Sequence, residues 1–279
     1  MVDYKIWCTY HDKELLNKYN LKETDNFKLY YTKDLYIDGF SLNYVQYFLN
    51  EYVTQYYVWK NNIKSDLVGF CHYRRNINKY INNDILNHIY EYSQYKTFIT
   101  IPINEIIINH HNYKTNLYSI KLDTDLFGMN LHYDLLLSYI KESYSNYIYE
   151  RAIQLLNANY SRQNLGEVYI CKWNIFCLLI EFVNGYIKYM FNNLLNIPVK
   201  ELHKYSYDEY NQLAKYLNDR NFGLRKDFIE TLNINSDKLE FAGYPRSIGF
   251  IIESIIGIFW NLFINGDSYC NIENDEPIY

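Results

Sequence analysis

The chain is poor in the residues that punctuate, cross-link or charge a protein. Its 279 residues include 4 Pro and 10 Gly, with no Ser-rich linker, charge block or internal period, so composition marks neither a domain boundary nor a repeat array. Residues 1–279 read as a single domain, long enough to bury a substantial core. The cysteines, Cys8, Cys71, Cys171, Cys177 and Cys270, are odd in number and form no Cys-x-x-Cys pair, which argues against a disulfide framework and a zinc site. There is no Gly-x-Gly-x-x-Gly and no Walker-type phosphate loop, so dinucleotide-dehydrogenase and ATPase readings lose their main support. Excess positive charge is also missing: the net charge of −5 points away from nucleic acid as a partner. The most apolar stretch, Ile248 to Ile264, carries Glu253 and Asn261 and falls short of the roughly 20 clean residues of a membrane span. It is expected to be a core helix ahead of a membrane-facing amphipathic one. Met1 to Lys5 lacks the apolar core of a signal peptide. The expected location is therefore the cytoplasm, with room for peripheral association at the inner face of a membrane.

What the chain has in excess is Tyr, 34 of them. Asn, Ile and Lys are also abundant, and all four share AT-rich codons, so the excess carries little weight as a sign of base stacking. The most informative stretch is Trp59-Lys60-Asn61 followed by Asp66-Leu67-Val68-Gly69-Phe70-Cys71-His72-Tyr73-Arg74-Arg75. The apolar run Leu67 to Cys71 reads as a buried strand. The cationic and aromatic block then lies at its carboxyl end, where open α/β sheets bind ligands. Two adjacent guanidiniums are costly to bury without an anion, and their planar forks suit phosphate oxygens. These residues favour a diphosphate-bearing ligand.

Lys5 to Thr9 reads as a strand, followed by a polar loop and a helix over Lys13 to Tyr19, which is how nucleotide-binding α/β units begin. Asp38-Gly39 makes a turn, and Ser41 caps a helix running from about Leu42 to Trp59. Lys96 to Ile101, closed by Pro102, is another strand. Helical spacing recurs over Tyr133 to Tyr149, over Gln163 to Asn196 with a break expected near Glu167, over Tyr207 to Asn218 and over Ser247 to Phe263. The expected class is α/β: a nucleotide-binding mixed sheet flanked by helices, sheet-rich and donor-binding over about 1–110, helical and acceptor-binding over about 111–279.

The block at 59–75 resembles the signature of a glycosyltransferase family from capsular and exopolysaccharide gene clusters, long catalogued as a domain of unknown function. Matches in family order run along the chain: His11, Gly39, Glu51, Tyr56, Pro102, Asp134-Leu135-Leu136 with Ile140-Lys141-Glu142, Tyr169-Ile170, and Arg246 with Gly249, Phe250 and Glu253. The pattern departs at Phe40-Ser41, where the family has Asp-Asn, at His132 with Asp134, and at Gly166-Glu167. The resemblance implies sugar transfer from a nucleotide-sugar donor to a glycan or glycolipid acceptor, on a fold similar to the GT-A type. A UDP-sugar is favoured, since galactofuranose transfer from such a donor is known in related enzymes.

Breaking a sugar–diphosphate bond develops charge on phosphate oxygens that a cation must meet. His72, Arg74 and Arg75 are the candidates, with His72 and Arg74 expected on one face of the strand and Tyr73 and Arg75 on the other. The plain alternative is an Arg paired with Asp66 or Glu51 to brace the sheet edge. An inverting reaction also needs a carboxylate to take the acceptor proton. Asp134, at the start of a helix, is the first candidate and Glu167 the second; the alternative for Asp134 is an acid favoured by the helix dipole. Thr9, His11 and Tyr73 are placed to meet the nucleotide, and the resemblance alone adds Arg246. The triplet Asp123-Thr124-Asp125 reads as a solvated loop before a metal site, so no metal ligands are assigned, although a divalent Mn or Mg ion would suit the chemistry. Tyr56 and Trp59, one turn apart, read as core, and His110-His111 are not expected to chelate. Two other functions compete. One is sugar-phosphate transfer, which would release a nucleoside monophosphate. The other is an inactive homologue that binds nucleotide or glycan as a scaffold.

Overall fold

The computed structural model describes residues 2–73, 77–92, 98–100, 130–157, 168–218, 247–263, 269–273 and 276–278. The first strand, β1 (Tyr4–Tyr10), is followed by α1 (Glu14–Lys18) and then by β2 (Phe27–Tyr31), which pairs parallel to β1. The chain returns through a 3-10 turn (Asn43–Val45), α2 (Gln46–Leu49) and α3 (Tyr52–Lys60) to β3 (Leu67–His72), parallel to β1 on its other side. Two outward crossings in opposite directions put their helices on opposite faces. Leu15 and Leu16 accordingly pack with Ile6, Cys8, Phe27 and Cys71, whereas α3 packs with Val68 and Phe70.

After β3 come a 3-10 turn (Ile77–Tyr80), α4 (Asn83–Tyr92), β4 (Phe98–Thr100), α5 (Asn130–Ser143), α6 (Asn146–Asn157), β5 (Tyr169–Lys172) and α7 (Trp173–Leu195). A further 3-10 turn (Leu202–Lys204), α8 (Tyr207–Asn218), α9 (Ser247–Phe263), β6 (Tyr269–Glu273) and β7 (Glu276–Ile278) complete the described elements. The strand order is β2-β1-β3-β5-β4-β6-β7, with β5 antiparallel to both β3 and β4. The expected class, an α/β mixed sheet flanked by helices, is the one observed. The sheet is not confined to the first 110 residues, because β5, β6 and β7 join it from the second part.

Local chemistry explains where the elements differ from expectation. The single helix foreseen over Leu42 to Trp59 is broken at Asn50, whose φ of 49° and ψ of −130° end α2. A right-handed helix cannot pass through such a residue. The helix foreseen over Gln163 to Asn196 begins only at Trp173. Val168 to Cys171 is buried on both faces in the middle of the sheet, and a short, wholly buried run has no period that separates strand from helix. The helix over Tyr133 to Tyr149 is two helices, α5 and α6. β2, α4, β6 and β7 had no sequence expectation.

The larger core lies on the α3 face, where α3, α7 and α9 pack against the sheet and α8 packs on the helices. Ser247–Phe263 is a core helix as expected, with Ile248, Ile251, Ile252, Ile255, Ile256, Phe259 and Trp260 all buried. Among the described residues no helix is long and apolar enough to cross a membrane. Much of the tyrosine is structural. Tyr52 donates to Asn184 Oδ1 at 2.8 Å, Tyr30 to Asn43 Oδ1 at 2.8 Å and Tyr169 to Gln55 Oε1 at 2.7 Å. In each case a buried ring keeps a satisfied hydroxyl.

Candidate active site

The topology fixes where a ligand site belongs. From β1 the chain moves outward to β2 and then returns to β3, so the direction reverses between β1 and β3, and the crevice at their carboxyl ends is the place such sheets offer a ligand. Thr9 and His72 are register partners there. Both side chains face α3, because Ile6, Cys8, Leu67 and Cys71 take the opposite face.

α3 is buried on nearly all sides, from Tyr52 to Tyr56 and again at Val58, so its polar residues must find partners inside the protein. Thr54 is one hydrogen bond from Thr9, Oγ1 to Oγ1 at 2.8 Å. Gln55 accepts the Tyr169 hydroxyl. Glu51, at the amino end of α3, places Oε1 3.2 Å from His72 Nε2, with the two side chains 22% and 9% exposed. A carboxylate at a helix amino end is also favoured by the helix dipole. The result is a nearly desolvated carboxylate–imidazole pair at the mouth of the switch crevice.

The other face of the same strand ends carries rings. Tyr73 is buried, edge-on to His11 at 5.4 Å and tilted against Tyr19 at 5.3 Å. Tyr10 stacks on Tyr31 at 5.1 Å, and Lys13 Nζ lies 5.2 Å from the Tyr31 ring. Tyr73 stands in the turn just past β3, and its ring also lies 3.7 Å from the His72 ring, so the two rings touch rather than separating to opposite faces as strict strand alternation would have them. Beneath them, Cys8 and Cys71 are paired in register and buried. Their mutual hydrogen bond, then burial, push the Cys8 thiol far up, so it stays protonated and is no nucleophile.

The structure therefore brings Thr9, His11, His72 and Tyr73 to one end of the sheet. Asp134 sits in the second turn of α5 with an exposed side chain, and its backbone oxygen accepts the Ser138 hydroxyl. Arg74, Arg75 and Arg246 lie outside the described residues, as do Glu167, His110-His111 and Asp123-Thr124-Asp125. Among the described residues no three His, Cys, Asp or Glu side chains gather as metal ligands do. Sequence reasoning missed Glu51 as the partner of His72, and with it Thr54 and Gln55. The signal was there: Thr54-Gln55 interrupts an otherwise apolar helix, and Glu51 stands one residue before it.

A second polar cluster sits at the other end of α3. Lys60 Nζ lies 2.8 Å from Glu201 Oε2 and Lys188 Nζ 3.2 Å from Oε1. Asn61 brackets Phe40, accepting its N–H and donating to its carbonyl, each at 2.9 Å. Tyr56 Oη lies 2.8 Å from His203 Nδ1. The Lys60 hydrogen bond, with Lys188 behind it, holds the Glu201 carboxyl down to about 2 against the opposing effect of burial.

No curated protein sequence matches the chain. A similar solved structure is that of apo WbbM, a bifunctional glycosyltransferase, at 13% identity and a TM-score of 0.46 over 91% of this chain and 42% of that one. The present chain thus spans about two fifths of the length of that protein, and a likeness of this degree assigns it no chemistry. The sequence model of one family matches residues 17–223, a range that takes in β2, α3, the 59–75 block and the 3-10 turn at Leu202–Lys204. The chain belongs to that family, described as Domain of unknown function (DUF4422).

Proposed function

We propose that this protein is a glycosyltransferase that moves a sugar from a nucleotide-sugar donor, a UDP-sugar by preference, to a glycan or glycolipid acceptor. The observation that carries the reading is the Glu51–His72 pair, seated beside Thr9 at the carboxyl ends of β1 and β3. After Tyr73 the chain supplies Arg74 and Arg75 in consecutive positions. Departure of a nucleoside diphosphate requires cationic groups where phosphate charge develops, and these residue types suit that task.

In this proposal Glu51 fixes the orientation of His72, as the carboxylate of a carboxylate–imidazole pair does. His72, Arg74 and Arg75 meet the diphosphate, and Arg246 joins them from the segment preceding α9. Thr9, His11 and Tyr73 frame the nucleotide side. Asp134 is the carboxylate proposed to take the acceptor proton, and Glu51 is the rival that experiment must separate from it. A divalent ion is an additive to test. The two-part division, with donor binding over about 1–110 and acceptor binding over about 111–279, belongs to the same proposal, as do cytoplasmic residence and membrane-face association.

The test is nucleotide release from UDP-, GDP- and CDP-sugars, with and without Mn²⁺ and with chelator. Release of a nucleoside diphosphate from one donor supports the reading. Release of the monophosphate replaces it with sugar-phosphate transfer, and donor binding without release, with or without acceptor glycans, replaces it with an inactive scaffold. Arg74→Ala and Arg75→Ala should each lower turnover severely with the fold intact; full turnover in both would sink the assignment.

A further inference from the structure

The amino end of α3 is aimed by a residue that the proposed reaction does not use. Asn50 separates α2 from α3 at φ 49° and ψ −130°, a conformation that glycine adopts freely and that costs an L-residue on the order of 1–3 kcal/mol. Such a residue persists only where its surroundings hold it. Here the holder is α9. Gly249, in its first turn, packs against the Asn50 side chain so closely that a Cβ at Gly249 would overlap Asn50 Nδ2 and lie 2.7 Å from its Cγ. Asn50 is also nearly buried, and its N–H donates to Gln46 O at 2.9 Å. The next residue is Glu51, already helical at φ −67° and within hydrogen-bonding distance of His72.

We propose that Asn50 and Gly249 are positioning residues: the corner at Asn50, seated on the bare backbone of α9, sets the direction from which Glu51 reaches His72. The inference rests on the reading of Glu51–His72 as part of the active site, and it couples that pair to a helix distant in sequence. It gives a physical reason for glycine at 249. A side chain there would push the Asn50 side chain off its seat and turn the first residue of α3 with it. A displacement of about 1 Å at a reacting group is enough to cost turnover on the order of a hundredfold.

The experiment is NMR of protein carrying isotope-labelled histidine, with the His72 ring signals assigned through His72→Gln and the loss of the Glu51 contact calibrated by Glu51→Gln. Gly249→Ala should move the His72 signals toward their position in Glu51→Gln. The double variant Asn50→Gly with Gly249→Ala, which removes the colliding side chain and admits the positive φ, should return them to the wild-type position. Wild-type His72 signals in a folded Gly249→Ala protein, or a shift that the double variant does not reverse, would overturn the proposal. If Gly249→Ala does not fold, Asn50→Gly against Asn50→Ala decides: the glycine should keep the His72 signals and the alanine should move them, and equal spectra would refute the idea. No donor or turnover enters this readout, so failure of the transferase reading and failure of the positioning device are separately visible. Where turnover is measurable, Gly249→Ala should lower kcat with little change in donor KM, and the double variant should recover it.

Discussion

The two ends of α3 carry polar residues for opposite purposes. At the amino end, Glu51, Thr54 and Gln55 turn inward to His72, Thr9 and Tyr169. At the carboxyl end, Lys60 reaches across the surface to Glu201, which Lys188 also pairs, and Asn61 reaches the loop at Phe40. The first set is nearly dry and lies where the sheet reverses direction. The second is a half-exposed clasp that ties the 39–41 turn and the 197–205 segment to the helix. The recognisable block of 59–75 therefore divides: Trp59-Lys60-Asn61 maintains the architecture, and His72 and its successors stand at the proposed chemistry. A contiguous motif need not be one site, since a helix and a strand joined by a short turn deliver their residues to opposite ends of the sheet.

Breaking the chemical end should have the largest effect. Glu51→Gln keeps the shape and hydrogen-bonding length of the side chain but removes its charge, and donor turnover should fall on the order of a hundredfold, about 2.7 kcal/mol of barrier, with an unchanged melting temperature. Asp134→Asn in parallel tests which carboxylate takes the acceptor proton: the proposal requires a comparable loss there and full retention of donor binding by calorimetry.

Breaking the architectural end should cost stability and leave the turnover of folded molecules intact. Gly39 has φ +90°, and a Cβ there would overlap Asn61 Oδ1 and lie 2.9 Å from its Cγ. Gly39→Ala should destabilise by about 1–3 kcal/mol in denaturant titrations. A smaller effect tests the hydrogen bond shared by sheet and helix. Thr54→Val strands the buried Thr9 hydroxyl and should cost about 1–2 kcal/mol, and adding Thr9→Val should recover part of it, because two apolar groups in contact leave nothing unsatisfied.

The smallest effect is the clasp itself. Because the Glu201 carboxyl is held down to about 2 in the folded protein, its contribution is present above the ordinary carboxylate range and is lost as pH falls toward 2. Solvent reaches this pair, so Glu201→Gln should cost less than about 1 kcal/mol at pH 7. The gap in melting temperature between wild type and Glu201→Gln should close as pH drops below about 4.5, the ordinary carboxylate value. His203, lowered by burial and then by Lys60, acts earlier: its neutral form is favoured in the folded state, so stability should begin to fall as pH drops through the usual imidazole range near 6.5.

Much of this was legible in the sequence. β1, β3 and α9 have a clear length and pattern, and Thr9, His11, His72 and Tyr73 follow from their place at or just past the strand ends. β5 was illegible because its four residues run straight into α7 with no turn residue between them, whereas Asp66 and Gly69 punctuate the equally buried β3, and Asn50 because an Asn in an apolar stretch gives no sign that its φ is positive. Glu51 was visible as a residue but not as a partner of His72, since only the return of α3 across the sheet brings position 51 to position 72. Asp134 illustrates the reverse: its helical setting was legible, although the helix ends at Ser143 rather than running to Tyr149, and its side chain is exposed.

The most direct measurement is donor turnover in His72→Gln and Lys60→Ala, compared side by side with wild type under conditions where all three are folded. The account predicts turnover lost in His72→Gln and kept in Lys60→Ala. Equal turnover in the two variants, or loss confined to Lys60→Ala, would contradict the placement of the active site at the carboxyl ends of β1 and β3.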